Sequence, residues 1–271
     1  MEMPNQSSLA VNERMPEGRA GGQPLVVLVH GSLDRSGSFA RVLRRLPDLH
    51  TVVYDRRGYH RSRAALPLNT SLDGHVDDLL TVIDGRPAVV VGHSYGGDVA
   101  LGAALRAGGP SPLVAVAAYE PPMPWLAIGP PPAGTRGGPR WSDPDATAAE
   151  TAERFFRRMV GDAAWERLPE GTKEARRADG PALAAELDAI RTATAPFDVA
   201  ELAIPAVFGR GAASTPRHRD SVAWLVDHTP GAELVEIAGA SHGAHLTHPD
   251  AFADFVRAAV ARAGVPARPG T

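Results

Sequence analysis

Ser94 and His242 are the two residues of this chain best suited to covalent chemistry. One is a hydroxyl able to attack a carbonyl carbon, the other an imidazole able to take its proton and return it. Ser94 lies at the centre of Gly92-His93-Ser94-Tyr95-Gly96, directly after the unbroken apolar run 88–91 and directly before a stretch of small residues, Gly96, Gly97, Ala100, Gly102, Ala103 and Ala104. Such a run reads as a strand buried on both faces, and the small residues as a helix packed close against it. A turn that tight forces its apical residue into a strained backbone conformation and pushes the side chain out of the sheet. The free N–H groups at the start of the helix then lie beneath the serine, where negative charge can develop. The bland alternative is a serine chosen only as a small turn residue. The same pattern recurs at Gly239-Ala240-Ser241-His242-Gly243, but after an alternating strand and with no helix until Pro249, so Ser241 is read as a bystander to His242.

A serine hydroxyl is a poor nucleophile without an adjacent base, and an imidazole titrates in the right range to serve. His242 follows a strand end; its alternative is a surface loop histidine, with His245 and His248 as competitors. The three histidines together suggest a metal site. No fourth ligand stands at a recognisable spacing, however, and Pro249 starts a helix, so no metal is assigned.

The elements that must position these residues alternate in type. Strands are expected at 25–29, 51–54, 88–91, 113–119, 206–208 and 234–237, with a short edge strand near 9–12. Helices are expected at 36–46, from a cap at Thr70 or Ser71 to about 83, from Ser94 to about 106, and near 221–228 and 249–263. This alternation implies an α/β fold: a mostly parallel central sheet flanked by helices, with ligands bound at the carboxyl ends of the strands. Between 123 and 195 the register changes, first to a stretch crowded with Pro and Gly and then to helical spacing that carries its own apolar face. The organisation expected is therefore a core of 1–122 and 196–271 with a helical insertion at 123–195.

With 271 residues, 44% hydrophobic and 22% charged, the chain can bury one large core plus an insertion. A net charge of −3 argues against nucleic acid or acidic membranes as partners, and a small-molecule substrate is expected instead. The absence of cysteine excludes disulfides, thiol catalysis and thiolate metal sites. No apolar run approaches membrane-spanning length and the first residues carry no hydrophobic signal core, so a cytoplasmic enzyme is the default expectation. Oligomeric state is left open.

Taken together, His30-Gly31, Asp55-Arg56-Arg57-Gly58 with Ser62, Gly92-His93-Ser94-Tyr95-Gly96-Gly97, Tyr119-Glu120-Pro121-Pro122 and Gly239-Ala240-Ser241-His242 resemble the α/β-hydrolase superfamily over nearly the whole chain. The resemblance implies a nucleophile–acid–histidine triad in that chain order and a cap over the site. In that family the acid usually follows the strand that here is 206–208, yet the turn from Gly209 to Pro216 contains no carboxylate, and Asp220 falls in the next helix. Glu120 ends the neighbouring parallel strand on the same sheet edge and is the expected histidine orienter. The alternatives are a solvated strand-end or cap-contact role for Glu120, a Ser–His dyad helped by Ser214, or an incomplete triad. The oxyanion hole is expected from the backbone N–H groups of Tyr95 and Ser32. Asp55, Arg56 and Arg57 are expected to brace loops near the site.

Among the large apolar residues of the insertion, Met123, Trp125, Trp141, Phe155, Phe156 and Met159, most are expected to form its own core. Trp125, Phe155, Phe156 and Met159 are the candidates to line the substrate entrance. The expectation is a cofactor-free serine hydrolase acting on an ester, lactone or related carbonyl compound. Carbon–carbon cleavage, peracid formation, and a cyclase or thioesterase step are variants of the same site. Epoxide hydrolase and dehalogenase chemistry are disfavoured because the family's nucleophile there is Asp. The rival from another class is a non-catalytic small-molecule binder on the same fold.

Overall fold

The computed structural model describes residues 9–16, 23–65, 68–106, 112–126, 146–192 and 197–264. Trp141 lies outside them. The strands are β1 (Val11–Arg14), β2 (Leu25–Val29), β3 (Thr51–Tyr54), β4 (Ala88–His93), β5 (Leu113–Tyr119), β6 (Ala206–Gly211) and β7 (Glu233–Ile237). The helices among the described residues are α1 (Ala40–Leu43), α2 (Leu72–Ile83), α3 (Tyr95–Leu105), α4 (Ala148–Val160), α5 (Asp162–Glu166), α6 (Glu170–Ala178), α7 (Gly180–Thr192), α8 (Pro216–His228), α9 (Ala244–Thr247) and α10 (Pro249–Arg262). The strands form one sheet in the order β1-β3-β2-β4-β5-β6-β7, parallel throughout except for β1, which pairs antiparallel with β3.

Valine-rich runs make these strands because β-branched side chains suit a pleated surface and both faces are covered. Period-two alternation divides the core in two. Val27, Val29 and Val90 face α2, α3 and α8 together with Val76, Leu79, Val99 and Leu225. Val26, Leu28, Val89 and Val91 face the other side with Phe39, Val42, Phe252 and Phe255. At roughly 1.5 kcal/mol or more per buried valine, this two-sided burial drives the fold. The chain leaves β2 toward β3 on one side and β4 toward β5 on the other, so a topological switch point lies between β2 and β4, where such sheets bind ligands.

The helices inserted between β5 and β6 pack largely on one another. A capping box starts α4, with Thr147 and Glu150 satisfying each other's backbone donors. Trp165 is buried with the Phe156 ring 5.3 Å away, and Glu153 accepts from Arg157 and Arg177. No helix among the described residues is long and apolar enough to cross a membrane.

Several boundaries differ from the sequence reading. The edge strand spans 11–14, and the helix expected at 36–46 divides into the 3₁₀ turn Ser36–Phe39 and α1. The strand expected at 206–208 continues to Gly211, where β7 still supplies a partner in Ile237. The next helix begins at Pro216 rather than near Ser221, because Thr215 accepts the His218 N–H and proline suits the first helical position. Helix α9 was not anticipated.

Candidate active site

Ser94 occupies the bend between β4 and α3 with φ 53° and ψ −130°, a conformation that costs a non-glycine residue about 1–3 kcal/mol. The surroundings hold it there: the Ser94 N–H donates to Tyr119 O at 2.9 Å, and Ser94 O accepts from the Gly97 N–H at 2.6 Å. The flanking glycines are sterically required. A Cβ on Gly92 would stand 2.1 Å from Gly96 O, and one on Gly96 would stand 2.2 Å from Val29 O. A Cβ on Gly31 would meet Ser94 Cβ at 2.9 Å, so the loop after β2 lies directly against the serine.

Glu120, at the end of β5, is fully buried and has φ 46°. Its Oε1 accepts the Gly211 N–H at 2.8 Å, and its Oε2 lies 2.8 Å from His242 Nδ1. Burial acts to raise its pKa, but the hydrogen bonds from His242 and Gly211 outweigh this and hold the carboxyl below its ordinary value. With Nδ1 donating to Glu120, Nε2 of His242 is left as the basic nitrogen. The loop carrying His242 is pinned to the end of the sheet: Tyr119 Oη donates to Ser241 O at 3.1 Å, and His93 Nε2 lies 2.7 Å from His242 O. His93 adjoins Ser94 in the chain, and its ring lies 4.9 Å from that of His242, so serine and imidazole stand on the same edge.

The Ser32 and Tyr95 amides donate to no backbone carbonyl among the described residues; Tyr95 opens α3, where the first N–H groups have no partner within the helix. Asp55 accepts from Ser36 Oγ at 2.6 Å and His60 Nδ1 at 2.9 Å, and Arg57 reaches Asp78 of α2 at 2.5 Å, so both tie loops together. Trp125 lines a cavity of about 420 Å³ together with Met123, Leu126, Phe197, Val199 and Trp224. Phe155 and Phe156 instead pack against Leu33, Ala152 and Leu183, and Met159 is 40% exposed.

Two residues escaped the sequence reading. His218, in the first turn of α8, stacks on His242 with ring centroids 4.5 Å apart and planes 19° apart, and its Nδ1 lies 3.4 Å from Glu120 Oε2. Burial and then the neighbouring His242 push its pKa down to about 4, so it is neutral near pH 7. The Thr-Pro pair at 215–216 was the signal that could have placed it. Glu186 of α7 is fully buried among polar groups and had no signal at all. Among the described residues, two trios of metal-ligand type, Asp34–His93–His245 and Glu120–His218–His242, bring their donor atoms within 4.8 Å of one another, each one short of the four ligands of a structural zinc site.

A model of the Alpha/beta hydrolase family matches residues 26–255. The chain belongs to the alpha/beta hydrolase family. Among curated relatives, it is 37% identical over 91 residues to the uncharacterized hydrolase YraK of Bacillus subtilis, covering 32% of this chain and 34% of that protein. It is 32% identical over 103 residues to lipase LipV of Mycobacterium tuberculosis, covering 37% and 38%. The chain thus aligns with little more than a third of each relative's length. The alpha/beta hydrolase architecture recurs in a hydrolase from Pseudomonas aeruginosa PA01 at TM-score 0.69 and 24% identity, covering 92% of this chain and 93% of that one. It recurs again in the enol-lactonase from Burkholderia xenovorans LB400 at TM-score 0.67 and 22% identity, covering 93% and 96%.

Proposed function

We propose that the protein is a cofactor-independent serine hydrolase that cleaves an ester, lactone or related carbonyl substrate through a covalent acyl-enzyme. The observation that carries this reading is the 2.8 Å contact between His242 Nδ1 and the buried Glu120 carboxylate, on the sheet edge where strained Ser94 projects. The names of its relatives, a lipase and an enol-lactonase, support carboxylic-ester chemistry.

In the proposed reaction, Ser94 Oγ attacks the carbonyl carbon while its proton passes to His242 Nε2. Glu120 keeps the imidazole in the reactive tautomer and stabilises the imidazolium that forms. The Ser32 and Tyr95 amides hold the oxyanion, each worth about 2.7–4 kcal/mol. His242 returns the proton to the departing alcohol, and water, activated by the same imidazole, releases the acid and regenerates the serine. Helices α4 to α7 act as a cap over the site. The apolar cavity that Trp125 lines includes neither Ser94 nor His242, and Met159 is not among its lining residues.

The test is a short-chain chromogenic ester together with a serine-directed phosphonate. The wild type should turn over the ester and take up one phosphonate at Ser94, and Ser94→Ala should lose both with its fold intact. A wild type silent in both assays would favour the non-catalytic binder.

A further inference from the structure

We infer that Glu186, carried by α7 in the inserted helices, is a positioning residue that sets the direction of the Ser32 N–H and so makes the oxyanion hole depend on docking of the insert. The inference rests on the serine-hydrolase reading above.

The argument begins with a peptide plane. In a trans peptide the C=O of one residue and the N–H of the next point in opposite directions, so holding the Gly31 carbonyl aims the Ser32 amide. Gly31 O lies 2.8 Å from His30 Nδ1 and accepts from Arg56 Nη2 at 3.0 Å. His30 Nε2 accepts the Arg56 N–H at 2.9 Å, which makes Nδ1 the protonated nitrogen. Arg56 Nε also donates to His30 O at 2.9 Å. One guanidinium therefore grips two successive carbonyls of the loop.

Glu186 orients that guanidinium. Its Oε1 accepts from Arg56 Nη1 at 2.5 Å, its Oε2 from Arg56 Nη2 at 3.4 Å and from Ser32 Oγ at 2.8 Å, and His75 Nε2 lies 2.9 Å from Oε1. Arg56 and Glu186 are both fully buried. Such a pair adds little net stability over apolar packing, so its value lies in the geometry it imposes. Two further contacts from the insert reach the same loop. Arg176 Nη1 donates to Leu33 O at 2.8 Å, and Leu33, held at φ 52°, packs against Ala152 and Leu183. A loop with a strained residue, gripped on three carbonyls and one hydroxyl, has little freedom to turn the Ser32 amide away while the insert is seated.

The experiment compares wild type with Glu186→Gln, and with Ser32→Ala, which removes one hydrogen bond but leaves the buried pair and the amide in place. The readouts are kcat per phosphonate-titrated site and KM on p-nitrophenyl acetate, and affinity for a trifluoromethyl ketone, whose tetrahedral adduct needs the oxyanion hole. Glu186→Gln should lower kcat per site by about 10²-fold, leave KM within about twofold, and weaken the ketone by a factor parallel to the kcat loss. A residue with a merely structural role would lower only the fraction of titratable sites. Glu186→Gln with unchanged kcat per site, or with reduced kcat and undiminished ketone affinity, overturns the inference. If Glu186→Gln does not fold, Ser32→Ala decides: a smaller but parallel loss in both readouts supports the inference, and wild-type values overturn it. A wild type that neither labels nor turns over ester defeats the hydrolase reading, and this inference with it. An active wild type with an equally active Glu186→Gln defeats this inference alone.

Discussion

Glu120 carries the heaviest demand on a single side chain. Its Oε2 lies 2.8 Å from His242 Nδ1, its Oε1 is held by Gly211, and no water-exposed surface remains to it. Glu120→Gln keeps the shape but allows the wrong imidazole tautomer, so kcat should fall by up to about 10⁴-fold with little change in KM. Ester hydrolysis at wild-type rate in that variant would remove Glu120 from the mechanism. Its contact with His242 could be expected from the sequence, since parallel strands end on one edge and the turn after β6 holds no acid. That of His218 could not, because its place on the His242 ring follows from a helix starting at Pro216 rather than from any pattern around the histidine itself.

The decisive element is the β4–turn–α3 unit. Its two glycines leave no room for a methyl group: at Gly96 the added carbon would meet Val29 O at 2.2 Å and His30 O at 2.7 Å, both backbone atoms that cannot step aside. Gly96→Ala should therefore destabilise the protein by roughly 2–3 kcal/mol or more, and displace the β2 loop from Ser94. A thermal or urea melt gives the first quantity, and phosphonate labelling at Ser94 the second; an unchanged melt would mean that the turn is looser than described. Strand runs and the position of this turn could be read directly, because two-sided burial leaves a continuous apolar signature. Element ends were read less well. The extension of β6 to Gly211 depends on a partner in β7, and local residue preference contains no trace of that partner.

At the scale of the whole molecule, the buried imidazoles make stability depend on pH. Burial, then the neighbouring Arg56, push His30 down to about 4; burial also lowers His75, His93 and His218. Between pH 6.5 and about 4.5 the unfolded chain binds protons at these positions that the native chain refuses, so stability falls as the solution is acidified. Asp98 opposes this: burial raises its pKa, and it stays protonated in the fold where the unfolded chain would ionise. Four lowered imidazoles outnumber the one raised carboxyl, so unfolding takes up protons near pH 5.5, and His30 alone contributes roughly 2 kcal/mol between pH 6.5 and 4.5. Urea midpoints measured from pH 7 to 4.5 should decline steadily; a flat series would contradict the burial described for these rings.

The residues of this chain, by themselves, determined the sheet, the glycine-flanked serine, the late histidine and the strand-end carboxylate, because each depends on local spacing or on the shared edge of parallel strands. Only the tertiary structure decided what surrounds them. The second imidazole on Glu120 and the path from Glu186 through Arg56 to the Gly31 carbonyl join residues from 25 to 130 positions apart, and such contacts are chosen by packing between elements rather than by any periodicity within one.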